Sequence, residues 1–261
     1  MVATLLHEIP LQGGDVTDGV VRVGDTVRRP VSPSAPAVHA LLRHLEAAGF
    51  DGAPRVVGMD GLGREILTYI PGTTGLGLVT VTDEALVGVA ELLRDFHDAT
   101  EGFPLTRGGW EGGSNDDAAP EVIGHCDLTL QNVIFRDGRP RAMIDFDLAR
   151  PTTRLFDVVT TLRHWAPIAD PVDLAPLQRG LEVGARLRLF CDAYGVPPRD
   201  RRRLLELARL RFQRSYTVMR DRAASGGSWA RMWAGGAGER IRRAAAWLDT
   251  HEDKLHAHLV K

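Results

Sequence analysis

The chain has 261 residues, 44% of them hydrophobic and 25% charged, and a formal net charge of −2. These values suit a globular protein built as one large domain or two small lobes and argue against a disordered one. No run approaches the ~18 apolar residues that a membrane span needs. The first ten residues lack the basic and apolar regions of a signal peptide, and the two distant cysteines, Cys126 and Cys191, argue against a disulfide framework or a cysteine zinc site, so a reducing cytoplasm is expected.

The first section reads as β structure. Val20, Val21 and Val23 form a β-branched run, Gly24-Asp25 is a turn, and residues 26–29 are a second strand. A Pro/Ser-rich loop leads into a helix predicted over 36–48. There Val38, Leu41, Leu42 and Leu45 share one face and Gly49 closes the end. Strands predicted over 55–59 and 65–70 flank the turn Asp60-Gly61-Leu62-Gly63. Pro71-Gly72-Thr73-Thr74-Gly75 breaks the pattern. It marks the expected boundary between a β-rich N-terminal lobe, 1–70, and a larger, mainly helical C-terminal lobe, 71–261.

Asp83 is placed to cap a helix over 84–99 carrying Leu86, Val89, Leu92, Leu93 and Phe96. Residues 103–120 read as loop. Two short strands, 132–135 and 141–144, are joined by 136–140, which contains the hairpin dipeptide Asp137-Gly138. The remainder is predicted helical over 155–166, 174–194, 198–222 and 229–257. Charge follows position. Residues 199–261 carry 15 Lys+Arg against 7 Asp+Glu, a net of +8, and residues 1–198 carry a net of −10. The only lysines are Lys254 and Lys261, so lysine-dependent chemistry elsewhere must be done by arginine.

The informative stretch is His125-Cys126-Asp127-Leu128-Thr129-Leu130-Gln131-Asn132, the hairpin, and then Ile144-Asp145-Phe146-Asp147. A hairpin folds the chain back, so Asn132 before it and Asp145 after it can share one mouth with Asp127. Phosphoryl transfer from a nucleotide needs that set: hard oxygen ligands for Mg²⁺ and a carboxylate that orients or deprotonates the accepting hydroxyl.

This segment resembles the aminoglycoside phosphotransferase and choline kinase branch of the protein-kinase-like fold. The similarity extends to Arg150-Pro151, to Leu155-Phe156-Asp157 and to the helix ending Leu92-Leu93-Arg94-Asp95-Phe96-His97. The resemblance implies an α+β, two-lobe protein that binds ATP or GTP between its lobes and phosphorylates the hydroxyl of a small molecule. Asp127 would be the catalytic base, and Asn132 and Asp145 would hold Mg²⁺. Val27 would roof the nucleotide base. The hinge Leu67 to Ile70, with Tyr69, would hydrogen-bond the base through its backbone, and the segment Gly13-Gly14 to Thr17 would lie over the phosphates.

The family pattern has a strand lysine paired with a helix glutamate, and this chain lacks both. Arg29, on the same strand face as Val27, is the candidate replacement, with His39 near the usual glutamate position and no carboxylate evident for Arg29. The resemblance implies that the C-terminal helices line the acceptor pocket, and their positive charge here then implies a neutral or anionic acceptor rather than a polyamine. No nucleic-acid partner is expected, since no aromatic stacking motif accompanies the basic helices. Two other functions stay open: a catalytically weak nucleotide-binding or immunity protein of the same fold, and a metallohydrolase built on His125, Asp127, Asp145 and Asp147. His125 and Asp157 read better as bracing residues than as catalysts, and Cys126 as packing.

Overall fold

In the computed structural model, residues 7–11, 19–106, 108–113 and 115–260 are described. The phosphate-covering segment expected from Gly13-Gly14 to Thr17 lies outside the described residues.

The first strands form one antiparallel sheet in the order β1-β2-β3-β5-β4: β1 Ile9–Pro10, β2 Val21–Val23, β3 Thr26–Pro30, β4 Val56–Met59 and β5 Arg64–Thr68. Helix α1, Ala35–Ala47, connects β3 to β4. It opens with a proline in its first turn and buries Val38, Leu41, Leu42 and Leu45, the face that the spacing predicts. Gly49 follows it at φ +78°, a left-handed position that glycine adopts without steric penalty.

The second part is mainly helical, with α2 Asp83–Ala99, α3 Arg154–Trp165, α4 Val183–Tyr194, α5 Pro198–Arg201, α6 Leu204–Ala223, α7 Gly227–Ala234 and α8 Ala237–Leu259. The cap of α2 is Thr82 rather than Asp83. The Thr82 hydroxyl accepts from Ala85 N–H at 3.1 Å, and Asp83 instead accepts from Arg186 at 2.8 Å. Three helices differ from the sequence reading, each for a local reason. The helix expected from 174 begins only at Val183, because Pro171 and Pro176 start separate 3-10 turns. The helix expected over 198–222 breaks between Arg201 and Leu204. The last one is split at Gly235-Gly236, with Gly236 at φ +85°.

Two small sheets carry the candidate chemistry. Strands β7 Val122–Gly124 and β10 Arg150–Thr152 pair antiparallel. Strands β8 Val133–Arg136 and β9 Arg139–Met143 form a hairpin, joined at its β8 edge by β6 Thr73–Thr74. The hairpin turn is only Asp137-Gly138, at φ +52° and +74°, the two positive values that the tightest hairpin loops require. Beneath the hairpin, Val133, Phe135, Phe156 and Trp165 belong to one buried cluster with Leu86, Leu93 and Phe96 of α2. No described helix is long and apolar enough to cross a membrane.

Candidate active site

The loop after β7 holds Asp127. Its conformation is imposed from below by Asp157 on α3, which is fully buried. Asp157 accepts from the backbone N–H of His125 at 2.7 Å and of Cys126 at 2.8 Å. It also meets His97 Nε2 at 3.0 Å, and His97 Nδ1 lies 2.7 Å from the Tyr194 hydroxyl. The arrangement that satisfies all of them has His97 Nε2–H donating to the carboxylate and the tyrosine donating to Nδ1. Burial alone would raise Asp157. The His97 bond and the amide donors bring it below the ordinary carboxyl value. Cys126 then takes φ +61°, a conformation uncommon for a non-glycine residue, and Asp127 follows it.

His125 braces the same loop from its other side. Its Nε2 lies 3.0 Å from the Ile144 carbonyl, and a carbonyl can only accept, so Nε2 carries the proton. Burial lowers the basicity of this ring, which therefore stays neutral near pH 7. Burial also pushes the Cys126 thiol up to about 12, which removes it as a nucleophile.

The hairpin brings Asn132 and Asp145 to that loop. Ile144 N–H donates to the Asn132 carbonyl at 2.9 Å, closing the base of the hairpin. Asn132 Nδ2 donates to the Asp127 carbonyl at 2.8 Å and to Asp127 Oδ2 at 3.1 Å. Asp145 stands at φ +64° and lines the same cavity as Asp127. The desolvation of Asp127, reinforced by the Asp145 charge, raises its carboxyl to about 7. The Asn132 amide and two arginines oppose that shift. A carboxyl titrating there is matched to accepting a proton at neutral pH.

Arg29 reaches the site from β3. Its guanidinium donates to Asp145 Oδ1 at 3.3 Å and to Asp147 Oδ2, and its Nε lies 3.0 Å from Glu65 Oε1. Burial opposes its charge, but the charges of Asp147 and Asp145 outweigh this and hold it more firmly protonated. Burial and the Asp145 charge raise Asp147, against the pull of Arg29. The expectation that Arg29 lacks a carboxylate is corrected here. Glu65 lies directly across the β3–β5 ladder from Arg29, and His39 of α1 bonds its other oxygen. The helix that follows β3 thus reaches the pair through a histidine. Strand alternation puts Glu65 on the Arg29 face, but only the register makes them neighbours.

The remaining base-binding candidates lie along one edge. Val27 pairs with Leu67 across the same ladder and shares the Arg29 face. Leu67 is engaged with both β3 and β4. Tyr69 N–H donates to Asp25 O at 2.8 Å, and the Arg22 guanidinium lies 3.9 Å from the centre of its ring. Ile70 N–H donates to no described group.

The donor set fits Mg²⁺. Asn132 uses its amide nitrogen toward Asp127, so Oδ1 is left as an acceptor. The Asp145 carboxylate is partly open to solvent. An amide oxygen and a carboxylate are the hard ligands that Mg²⁺ takes alongside phosphate oxygens and water. The metallohydrolase arrangement is not supported: His125 is turned to Ile144, Asp147 is taken by Arg29, and among the described residues no group of three or more His, Cys, Asp or Glu could hold a metal. A larger groove of about 1330 Å³ between α1, α2 and the hairpin turn contains none of Asp127, Asn132 and Asp145.

Residues 109–194, which hold His125, Asp127, Asn132, Asp145, Asp147 and Asp157 but not Arg29, His39, Glu65 or His97, match the model of the phosphotransferase enzyme family. Over 272 aligned residues the sequence is also 32% identical to the trifolitoxin immunity protein of Rhizobium leguminosarum bv. trifolii, covering 97% of this chain and 99% of that one. The chain belongs to the phosphotransferase enzyme family. The kinase-like fold extends along most of this member. A choline/ethanolamine kinase family protein from Mesorhizobium loti superposes with a TM-score of 0.63 at 18% identity, covering 94% of this chain and 90% of that one. An amicoumacin kinase in complex with AMP-PNP and Ca²⁺ does so with a TM-score of 0.56 at 12% identity, covering 89% and 86%. The expected fold, a small antiparallel N-terminal lobe and a larger helical C-terminal lobe, is the fold observed.

Proposed function

We propose that this member of the phosphotransferase enzyme family transfers the γ-phosphoryl group of ATP or GTP to a hydroxyl of a small molecule, in the cytoplasm where that nucleotide is supplied. The observation that carries this reading is the cluster of Asp127, Asn132 and Asp145 at the base of one hairpin, with Arg29 aimed into it. Asp127 orients the acceptor hydroxyl and takes its proton as the oxygen attacks phosphorus and the bond to the departing diphosphate breaks. Asn132 Oδ1 and Asp145 would hold Mg²⁺, which when bound neutralises triphosphate charge. Arg29, kept in place by Glu65 and His39, supplies the fixed positive charge that the absent lysine would bring, and its planar fork suits phosphate oxygens. Val27 packs on the base, and the backbone of 67–70 recognises its edge, chiefly through Ile70 N–H.

The acceptor is expected to be neutral or anionic, because arginines from the last helices face Asp127. A screen of hydroxylated compounds with γ-labelled ATP tests the reading. Asp127→Ala should lower turnover by roughly 10²–10⁴-fold while nucleotide affinity stays within a few-fold. Unchanged turnover in Asp127→Ala would refute the assignment.

A second reading is favoured by one geometric fact and one relative: Arg29 is ion-paired with the metal carboxylate Asp145, and a relative carries the name of an immunity protein. In that reading the protein binds nucleotide and turns over poorly. Single-turnover measurement separates the two, since tight Mg²⁺-ATP binding with no phosphoryl transfer to any acceptor supports the second.

A further inference from the structure

Behind Asp127 the floor of the cleft opens into a cavity of about 340 Å³, a size that takes a small metabolite. Its carboxylates are Asp127 and Asp145, and its other charged lining groups are arginines of α3, α6, α8 and β10. Arg222 is matched by Glu111 at 2.7 Å. Arg163 and Arg211 have no such match: among the described residues neither forms an ion pair with a carboxylate. Arg211 Nε donates to the Thr160 hydroxyl at 3.1 Å. Arg163 lies 4.9 Å from the centre of the Phe212 ring, and its Nη1 is shielded from solvent with no hydrogen-bond partner. Arg240, at the cavity edge, donates to the Gly235 carbonyl at 2.7 Å.

We propose that this cavity is an anion-recognising acceptor site, in which Arg163 and Arg211, with Arg240 at the rim, hold the carboxylate or phosphate of a hydroxyl compound whose hydroxyl lies at Asp127. The inference rests on the phosphotransferase reading for the hydroxyl end and names the substrate class for the other. Asp127 acts on Arg211 and Asp173 on Arg163 without forming an ion pair with either, and guanidiniums gathered in a cavity without a directly paired carboxylate are unfavourable when it is empty, because desolvated cations need an anion in contact to compensate them. Burial and the nearby Arg211 and Arg240 charges pull Arg163 down to about 9, and burial leads the shift of Arg211 to about 10. Both remain cations at pH 7, and a bound anion relieves both. Arg163 also sits in the last turn of α3, where the helix dipole favours a cation. That contribution leaves its Nη1 without an acceptor. A quaternary ammonium or polyamine acceptor would instead add positive charge to a site that already has an excess.

The test is calorimetric titration of the nucleotide-free protein at constant ionic strength with inorganic phosphate, D-glycerate, sn-glycerol 3-phosphate and glycerol. At least one hydroxylated anion should bind at least ten-fold more tightly than glycerol; glycerate and glycerol 3-phosphate distinguish a carboxylate site from a phosphate site. Arg163→Gln and Arg211→Gln should each weaken that anion by roughly 10- to 100-fold, and Arg163→Lys should restore part of the loss. Arg163→Gln should also melt no lower than the parent without ligand, whereas an arginine kept only for structure would lower the melting temperature. Equal affinity for glycerol, no anion binding at all, or anion binding unchanged in both glutamine variants overturns the proposal. Scoring transfer from ATP to the same compounds keeps the two readings apart. Arginine-dependent anion binding without transfer counts against the kinase reading and, with it, the acceptor half of this proposal, while leaving the anion-recognising half. Transfer that favours glycerol or choline over both hydroxylated anions removes this one and leaves the kinase reading.

Discussion

Asp127 is a carboxylate that its surroundings make hard to ionise, and that fixes the direction of two pH effects. Its carboxyl is raised from 3.8 to about 7, by burial first and by Asp145 second. Because the folded value lies above the unfolded one, this group's contribution to stability is complete below pH ~4 and is lost as the pH rises through about 7. Proton acceptance needs the ionised form, so kcat/KM should climb over the same interval. Asp145→Asn removes the second cause. A carboxyl-carbon NMR titration of nucleotide-free protein should then show the Asp127 midpoint lowered, and an unchanged midpoint would contradict the assigned coupling. The candidate site residues were legible in the sequence to the extent that they are local. Asp127, Asn132 and Asp145 are held by one short loop and one hairpin, so spacing alone brings them together. Glu65 was not legible as the partner of Arg29, because the two are 36 positions apart and meet only through the β3–β5 register. Arg211 was visible only as part of the charge excess of 199–261, and Arg163, in the acidic part of the sequence, gave no signal, since residues on two different helices must pack before they face one cavity.

At the scale of elements, the loop carrying Asp127 is held by a close approach of β7 to α3. A Cβ on Gly124 would come within 2.4 Å of Thr152 Cγ2 and 2.9 Å of Asp157 Oδ2. No glycine torsion is involved there; the constraint is room for the carboxylate that holds the loop. Gly195, after α4, differs: it takes φ +84° and closes the helix with bonds to Cys191 and Asp192. Gly195→Ala should therefore destabilise by about 1 kcal/mol with kcat unchanged, as read by denaturant unfolding. Gly124→Ala should destabilise by roughly 1–3 kcal/mol and also lower kcat, because displacing Asp157 releases the amides of His125 and Cys126. Equal kinetic behaviour of the two variants would show that Asp157 does not govern the loop. The elements with strong periodicity, α1, α2 and α3, were readable from the sequence. The pairs β6–β8 and β7–β10 were not: strands of two or three residues carry too little pattern, and their partners lie far along the chain. The breaks near Gly235-Gly236 and at Pro176 had ordinary signals, a glycine pair and a proline, each of which ends a helix.

Across the whole molecule, the uneven charge acquires a location. The acidic part of the sequence supplies Asp127, Asp145, Asp147 and Glu65, and the basic helices place cations on the opposite wall of the same cleft. In the proposed reaction a metal-nucleotide complex would lie on the acidic side, with Arg29 the cation held there in advance. The two-lobe division follows from the same physics: an amphipathic sheet with one helix covers one side of the cleft, and helices around a short hairpin form the other. The central claim is that the hairpin base holds metal and nucleotide together, and it can be tested without knowing the acceptor. Electron paramagnetic resonance of Mn²⁺, titrated into protein with and without a non-hydrolysable ATP analogue, measures that directly. Mn²⁺ binding should be tight, should depend on the nucleotide, and should weaken at least ten-fold in both Asn132→Ala and Asp145→Asn. Nucleotide-dependent Mn²⁺ binding of unchanged strength in both variants would contradict that claim.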